Sequence, residues 1–170
     1  MEIKTLKVGY LQTNCYIIIN NGKSLIIDPG DEGERIKENI KGLDLQAILI
    51  THSHFDHIGA LNHFKNIKIY DNNNLEEKEY ELIDLKFNVI KTKGHTNDSI
   101  SFYFKEQNIM FTGDFIFEGT IGRTDLETGN IEEMKKSIKK IKKYPLNTII
   151  YPGHGNKTTL EKEIKTNPYL

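Results

Sequence analysis

The chain has one cysteine, Cys15, in 170 residues, which excludes an intrachain disulfide. It has only two arginines, Arg35 and Arg123, among its 23 basic residues, and 24 acidic residues leave a net charge of −1. That balance gives no basic footprint for nucleic acid. Long apolar runs are also missing. Tyr16–Ile19 and Ala47–Ile50 are far too short to span a bilayer. The N-terminus, Met1-Glu2-Ile3-Lys4, lacks an apolar stretch of signal-peptide length. The expectation is a cytoplasmic protein in a reducing compartment, with neither nucleic acid nor membrane as a partner. The oligomeric state is not legible. The length suits one domain with a substantial core.

What is present is histidine in unusual places. Thr51-His52-Ser53-His54-Phe55-Asp56-His57 packs three imidazoles and a carboxylate into six residues. His95 follows in Lys93-Gly94-His95-Thr96, and His154 in Pro152-Gly153-His154-Gly155. Between them Thr112-Gly113-Asp114 ends an apolar run with one carboxylate. Imidazole and carboxylate are the ligands that divalent transition metals such as zinc favour. The seven candidates are His52, His54, Asp56, His57, His95, Asp114 and His154, enough for two ions. His63 stands apart and reads as an ordinary surface histidine. Cys15 reads as a small core residue with no basic neighbour in sequence to activate it.

Hydrophobic periodicity places these residues on a scaffold. Strands are expected at 6–10, 15–20, 24–27, 47–50, 87–91, 99–104, 109–112 and 148–151. Asn20-Asn21-Gly22-Lys23 is a hairpin turn, because Asn-Gly accepts the positive φ angles such turns require. Helices are expected at 32–40, 57–64, 131–144 and 159–166. Asn130 is the N-cap of the third, with Glu133 in capping-box position. Residues 72–81 read as a surface loop or weak helix. Four times an apolar strand ends and metal-type ligands follow, after Ile50, Thr92, Thr112 and Tyr151. If these strands share a sandwich, their loops meet at one edge. The lysines of 135–143 read as the solvated face of their helix.

These motifs together resemble the metallo-β-lactamase fold superfamily. Thr13-Asn14-Cys15-Tyr16, Asp28-Pro29-Gly30, Gly122-Arg123-Thr124-Asp125 and the ending Thr158-Thr159-Leu160-Glu161 through Asn167-Pro168-Tyr169 are similar to its glyoxalase II-like branch. The resemblance implies an α/β fold, a four-layer αβ/βα sandwich, spanning residues 1–170 as one hydrolase domain. Full glyoxalase II enzymes carry an additional C-terminal helical domain that helps bind glutathione; with Leu170 soon after the last ligand, the expectation here is a single domain without it. The resemblance implies two divalent ions, zinc first, with iron or manganese as alternatives. His52, His54 and His95 would hold one ion; Asp56, His57 and His154 the other; Asp114 would bridge, and Asp56 and Asp114 would serve catalysis. Asp28 would orient a ligand from behind. Arg123 would recognise a substrate carboxylate or fix its loop with Asp125. The chain departs from the family pattern at Lys93, at Asn97-Asp98 (where Pro-Gly is usual), and at Asn156.

The implied activity is hydrolysis of a small-molecule thioester such as a hydroxyacylglutathione. A water shared by two ions loses a proton near neutrality, and the resulting hydroxide attacks the acyl carbon. A thiolate, from a thiol of pKa about 8.5, can leave without a proton donor, whereas an amine cannot. The alternatives are a persulfide dioxygenase using one iron on His52, His95 and Asp114, a lactonase or phosphodiesterase on the same core, and a non-catalytic metal-stabilised interaction module. Seven ligands for two ions leave open positions, which suits catalysis better than structure.

Overall fold

The computed structural model describes residues 1–170. Strands β1 (Glu2–Val8), β2 (Thr13–Asn20), β3 (Lys23–Ile27), β4 (Asp44–Leu49) and β5 (Lys68–Tyr70) form one sheet in that order. The second sheet comprises β6 (Glu79–Leu82), β7 (Leu85–Lys91), β8 (Ile100–Phe104), β9 (Ile109–Gly113), β12 (Ile149–Pro152) and β13 (Thr158–Thr159). A small hairpin, β10 (Ile116–Phe117) and β11 (Thr120–Ile121), lies outside both. The helices are α1 (Gly33–Asn39), α2 (Phe55–Ile58), α3 (Ile131–Ile141) and α4 (Leu160–Thr166).

Strand alternation builds the layers. Tyr16 and Ile18 of β2 face Phe102, Phe104 and Phe111 of the other sheet in a central core. Cys15 and Ile17, one residue out of phase, pack outward with Ile36 of α1, Ala60 and Phe64. Met110 of β9 turns the other way, against Met134, Ile138 and Ile141 of α3 and Leu160 of α4. The result is the α/β sandwich of four layers that the family resemblance implied.

Topology then gathers the loops. β9 runs parallel to β12, while β7 and β9 are each antiparallel to β8 and so share a direction. The chain therefore leaves β7, β9 and β12 at the same edge, carrying His95, Asp114 and His154. In the first sheet β3 and β4 are parallel, and they deliver Asp28 and the 52–57 cluster.

Several elements differ from the sequence expectation. β1 begins at Glu2 rather than Leu6, since pairing with β2 runs from Glu2↔Ile19 to Val8↔Thr13. The chain then turns at Gly9–Gln12, leaving Tyr10 98% exposed. The helix expected at 57–64 is instead α2 followed by a 3-10 turn, Leu61–His63. Its ladder breaks because Ala60 N–H donates to Pro29 O, at 3.0 Å, and not back along the helix. Part of the segment expected as a loop at 72–81 becomes edge strand β6, paired antiparallel with β7. The capping box forms by half. Asn130 accepts from Glu132 N and Glu133 N, but Asn130 N–H is already given to Gly94 O, so the Glu133 carboxylate pairs with Lys136. That helix stops at Ile141, and residues to Tyr144 form turns. The Asn21-Gly22 turn is as expected, with both residues at positive φ.

Candidate metal centre

The five clustered histidines and the two carboxylates meet at the shared strand edge. Three groups of ligand atoms each lie within 4.8 Å: His52, His54 and His95; His52, His57 and Asp114; and Asp56, His57 and His154. His63 lies elsewhere, bonded to Glu34 at 3.0 Å.

The outer partners of the imidazoles decide which nitrogen is free. His57 Nδ1–H donates to Asp28 Oδ2 (2.9 Å), His95 Nδ1–H to Arg123 O (2.8 Å) and His154 Nδ1–H to Leu11 O (3.1 Å). Thr51 Oγ1–H donates to Asp28 Oδ2 at 2.7 Å, so its lone pair is left to accept from His52 Nδ1–H at 3.1 Å. Carbonyl and carboxylate oxygens cannot donate, which fixes a proton on Nδ1 and leaves Nε2 as the nitrogen that faces inward. His54 is the exception. Its Nδ1 faces inward, 3.2 Å from His52 Nε2 and 3.0 Å from His95 Nε2.

The spacing tests whether a metal fits. Tetrahedral zinc with bonds of ~2.0–2.1 Å places its ligand atoms roughly 3.3 Å apart. His54 Nδ1 stands at about that spacing from His52 Nε2 and His95 Nε2, and all three nitrogens lie within 4.8 Å of one another. The second region gives an independent sign. His57 Nε2 and Asp114 Oδ1 are both buried without a hydrogen-bond partner, 3.3 Å apart. Orphaned buried atoms are rare and costly unless something coordinates them. Asp114 Oδ2 lies 3.6 Å from His95 Nε2 and 3.5 Å from His154 Nε2, so its carboxylate faces both halves of the cluster. Asp56 Oδ2 accepts from Thr13 Oγ1 at 2.8 Å and lies 3.2 Å from His154 Nε2.

Close backbone approach makes room for this crowding. A Cβ on Gly153 would sit 2.1 Å from Asp114 Oδ1, and one on Gly122 would sit 1.8 Å from Asp114 O. A side chain on Gly153 would displace the Asp114 carboxylate, and one on Gly122 would displace its backbone. Asn14 holds the His154 loop by donating from Nδ2 to Pro152 O and Gly155 O, both at 3.0 Å. Sequence reading quoted Asn14 within a motif without giving it a task. It missed Thr51, which no signal distinguishes from an ordinary strand-end threonine.

Charge divides the cluster. Burial, then the imidazoles of His57, His95 and His54, hold His52 well below the usual histidine range. Burial and His95 lower His54 likewise. Burial also opposes charge on His57, but the Asp28 and Asp114 carboxylates outweigh it and push the group up to about 10. His154 rises despite burial through its bond to Asp56. Asp56 and Asp114 are lowered against the opposing effect of burial, chiefly by the nearby imidazoles of His154 and His57 respectively, and stay anionic at neutral pH.

Without metal, then, a proton sits on His57 where a cation belongs. The ordinary histidine value is 6.5. His57 therefore contributes stability to the metal-free chain that is full below about pH 6.5 and lost as pH rises through about 10. A metal ion competes with that proton, so metal affinity should rise with pH across the same window. Calorimetric titration at pH 7, in buffers of different ionisation enthalpy, should show about one or more protons released as the ions bind. Uptake without proton release would contradict the charge assignment.

Leu11, Phe55, Leu126 and Arg123 rim the cleft above the ligands, which has a volume of about 410 Å³. The Arg123 guanidinium forks onto Asp125 with two contacts of 2.8 Å at the surface, while its carbonyl holds His95. Of the two expectations for Arg123, the Asp125 pair is the one the geometry contains. Tyr103 is buried against Tyr144, within the core beneath α3.

The family model described as the Metallo-beta-lactamase superfamily matches residues 8–72 and 67–154. A probable metallo-hydrolase of Bacillus subtilis, YqgX, is 35% identical over the whole chain and 98% of its own length. The hydroxyacylglutathione hydrolase GloC of Haemophilus influenzae is 34% identical with the same coverage. Among solved structures, the BLEG-1 B3 metallo-beta-lactamase superposes with a TM-score of 0.94 at 30% identity, covering 99% of each chain. TTHA1623 in a di-iron-bound form gives 0.89 at 32% identity, covering 98% of this chain and all of that one. ETHE1 from Myxococcus xanthus gives 0.90 at 28% identity, covering 99% and 84%.

Proposed function

The chain belongs to the metallo-beta-lactamase superfamily, and from that premise we propose that it is a dinuclear hydrolase of thioesters. The observation that carries this reading is the pair of orphaned buried atoms, His57 Nε2 and Asp114 Oδ1, beside a complete three-imidazole group. His52, His54 and His95 would hold one ion, Asp56, His57 and His154 the other, and Asp114 would bridge. Residues 1–170 act as one hydrolase domain, since a single central core draws on both sheets.

When bound, divalent ions supply Lewis acidity and bring the pKa of water toward neutrality. The chain's own residues do the rest. Asp28, Leu11 O and Arg123 O hold a proton on Nδ1 of His57, His154 and His95, so Nε2 is the nitrogen each ring would offer a metal, after losing its own proton where the ring is charged. Asp56 and Asp114 remain anionic and can orient a water or take its proton. The apolar rim of Leu11, Phe55 and Leu126 offers the acyl chain a dry contact. With its histidines and carboxylates committed to the ions, the cleft lining would leave no group to protonate a leaving amine. A leaving thiolate requires none.

Zinc is the metal proposed; the di-iron form of TTHA1623 makes iron the alternative. A mononuclear iron persulfide dioxygenase would use only His52, His95 and Asp114. It would leave the Asp56, His57 and His154 group without work, which favours the hydrolase.

The test is hydrolysis of S-lactoylglutathione by metal-loaded protein, followed as loss of the thioester absorbance. Turnover with a kcat/KM of about 10⁴ M⁻¹s⁻¹ or more, abolished by a chelator and restored by metal, is the expected result. No turnover of this or any simpler acyl thioester would exclude the thioesterase reading.

A further inference from the structure

His52 and His54 flank Ser53, while His95 arrives from a different loop. Whether three lone pairs meet therefore depends on how the two loops are held together. Two hydrogen bonds do this. Ile100 N–H donates to Thr51 O at 2.8 Å, and Ser53 N–H donates to Asp98 Oδ2 at 3.1 Å. The first is backbone to backbone and depends on no side chain. The second rests on one side chain.

Asp98 lies three residues beyond His95, in a loop that is closed by its own bonds. Thr92 N–H donates to Ser99 O at 3.0 Å, Gly94 N–H to Thr96 O at 3.1 Å, and the Thr96 and Ser99 hydroxyls meet at 2.6 Å. That loop keeps its shape without Asp98. The other oxygen of Asp98, Oδ1, is buried and has no hydrogen-bond partner. A buried carboxylate oxygen without a donor costs stability. The residue is therefore a poor choice for the loop alone. It borders a cavity of about 360 Å³ that His52 and Ser53 also line.

We propose that Asp98 is a positioning residue for the three-imidazole metal site. Its carboxylate clamps the peptide between His52 and His54 and sets their distance from His95. An ionised acceptor makes the stronger bond, and partners that orient metal ligands are worth 10–100-fold in affinity. The inference rests on the reading that this cluster holds metal.

Metal-free wild type, Asp98→Ala and Asp98→Asn would be titrated with Zn²⁺ in competition with a chromophoric chelator. Wild type should take two equivalents. Asp98→Ala should bind one of them about 10–100-fold more weakly and the other unchanged. Asp98→Asn, which keeps an oxygen facing Ser53, should recover most of the loss. The metal-free melting temperatures of all three should agree. Equal binding of both equivalents by Asp98→Ala overturns the proposal. So does an equal weakening of both with a lowered metal-free melting temperature, which marks a general structural role. Asp98→Asn as weak as Asp98→Ala overturns the clamp. A wild type that takes no metal overturns the metal-site reading itself, and the inference with it.

Discussion

Asp114→Ala should lower kcat/KM by a factor of about 10³ or more, equivalent to about 4 kcal/mol of transition-state stabilisation. The carboxylate follows β9 directly, where Gly113 adopts φ +52° and turns the chain into the cleft. One oxygen stands 3.3 Å from His57 Nε2, and the other lies 3.5–3.6 Å from His154 and His95. Asp114 is the one carboxylate that lies within 3.6 Å of histidines from both halves of the cluster. Its removal takes away the one anion common to both proposed ions. Metal content should fall from two ions toward one, and activity with it. The metal-free fold should survive, because Asp114 makes no hydrogen bond to the backbone of its neighbours. Asp114→Asn keeps the shape and removes the charge, so it should lose nearly as much activity. Steady-state kinetics with parallel metal analysis checks this. Activity within tenfold of wild type, with two ions retained, would show that the carboxylate does not bridge.

Asp28 has the opposite profile, with its largest effect on the fold itself. It is buried, and its two oxygens accept three bonds: Thr51 N–H at 2.8 Å, Thr51 Oγ1–H at 2.7 Å and His57 Nδ1–H at 2.9 Å. Asp28 holds these donors from a left-handed backbone, φ +52°, which aspartate tolerates better than most residues. Asp28→Ala leaves three buried donors unanswered, one of them a charged imidazole. The expected cost is about 3–5 kcal/mol, a fall of roughly 10 °C in the metal-free melting temperature. Asp28→Asn should not rescue it. Its amide NH₂ must face either Thr51 N–H or the pair Thr51 Oγ1–H and His57 Nδ1–H, donor against donor in both orientations. Thermal unfolding of the metal-free variants measures the effect. A shift of about 2 °C or less, under 1 kcal/mol for a chain of this size, would mean that Asp28 is dispensable to the fold.

The contrast between these aspartates explains what was legible in the chain. Asp114 and the histidines were visible because each stands where an apolar run stops, and ligand type is read directly from residue type. The parallel ends of β7, β9 and β12 turned four separate motifs into one edge. Asp28 was recognisable only through resemblance, since one buried carboxylate looks like any turn aspartate. The contribution of Arg123 was harder still. Its carbonyl fixes the His95 tautomer, and a backbone oxygen leaves no mark in sequence. Edge strands β5 and β6 were missed for a related reason. They are short and half-exposed, so the partner strand determines them more than their own pattern does. The break between α2 and the following 3-10 turn depends on Pro29 O taking the Ala60 N–H, a contact 31 residues away that no local window contains.

The central claim is that seven side chains make two metal positions. Elemental mass spectrometry of the purified protein, expressed per chain, tests it most directly. About two divalent ions per chain, zinc or iron, with one lost in His54→Ala and both weakened in Asp114→Ala, is the predicted result. A single ion that remains single after metal supplementation, and that is unaffected by loss of Asp56 or His154, would contradict the dinuclear account.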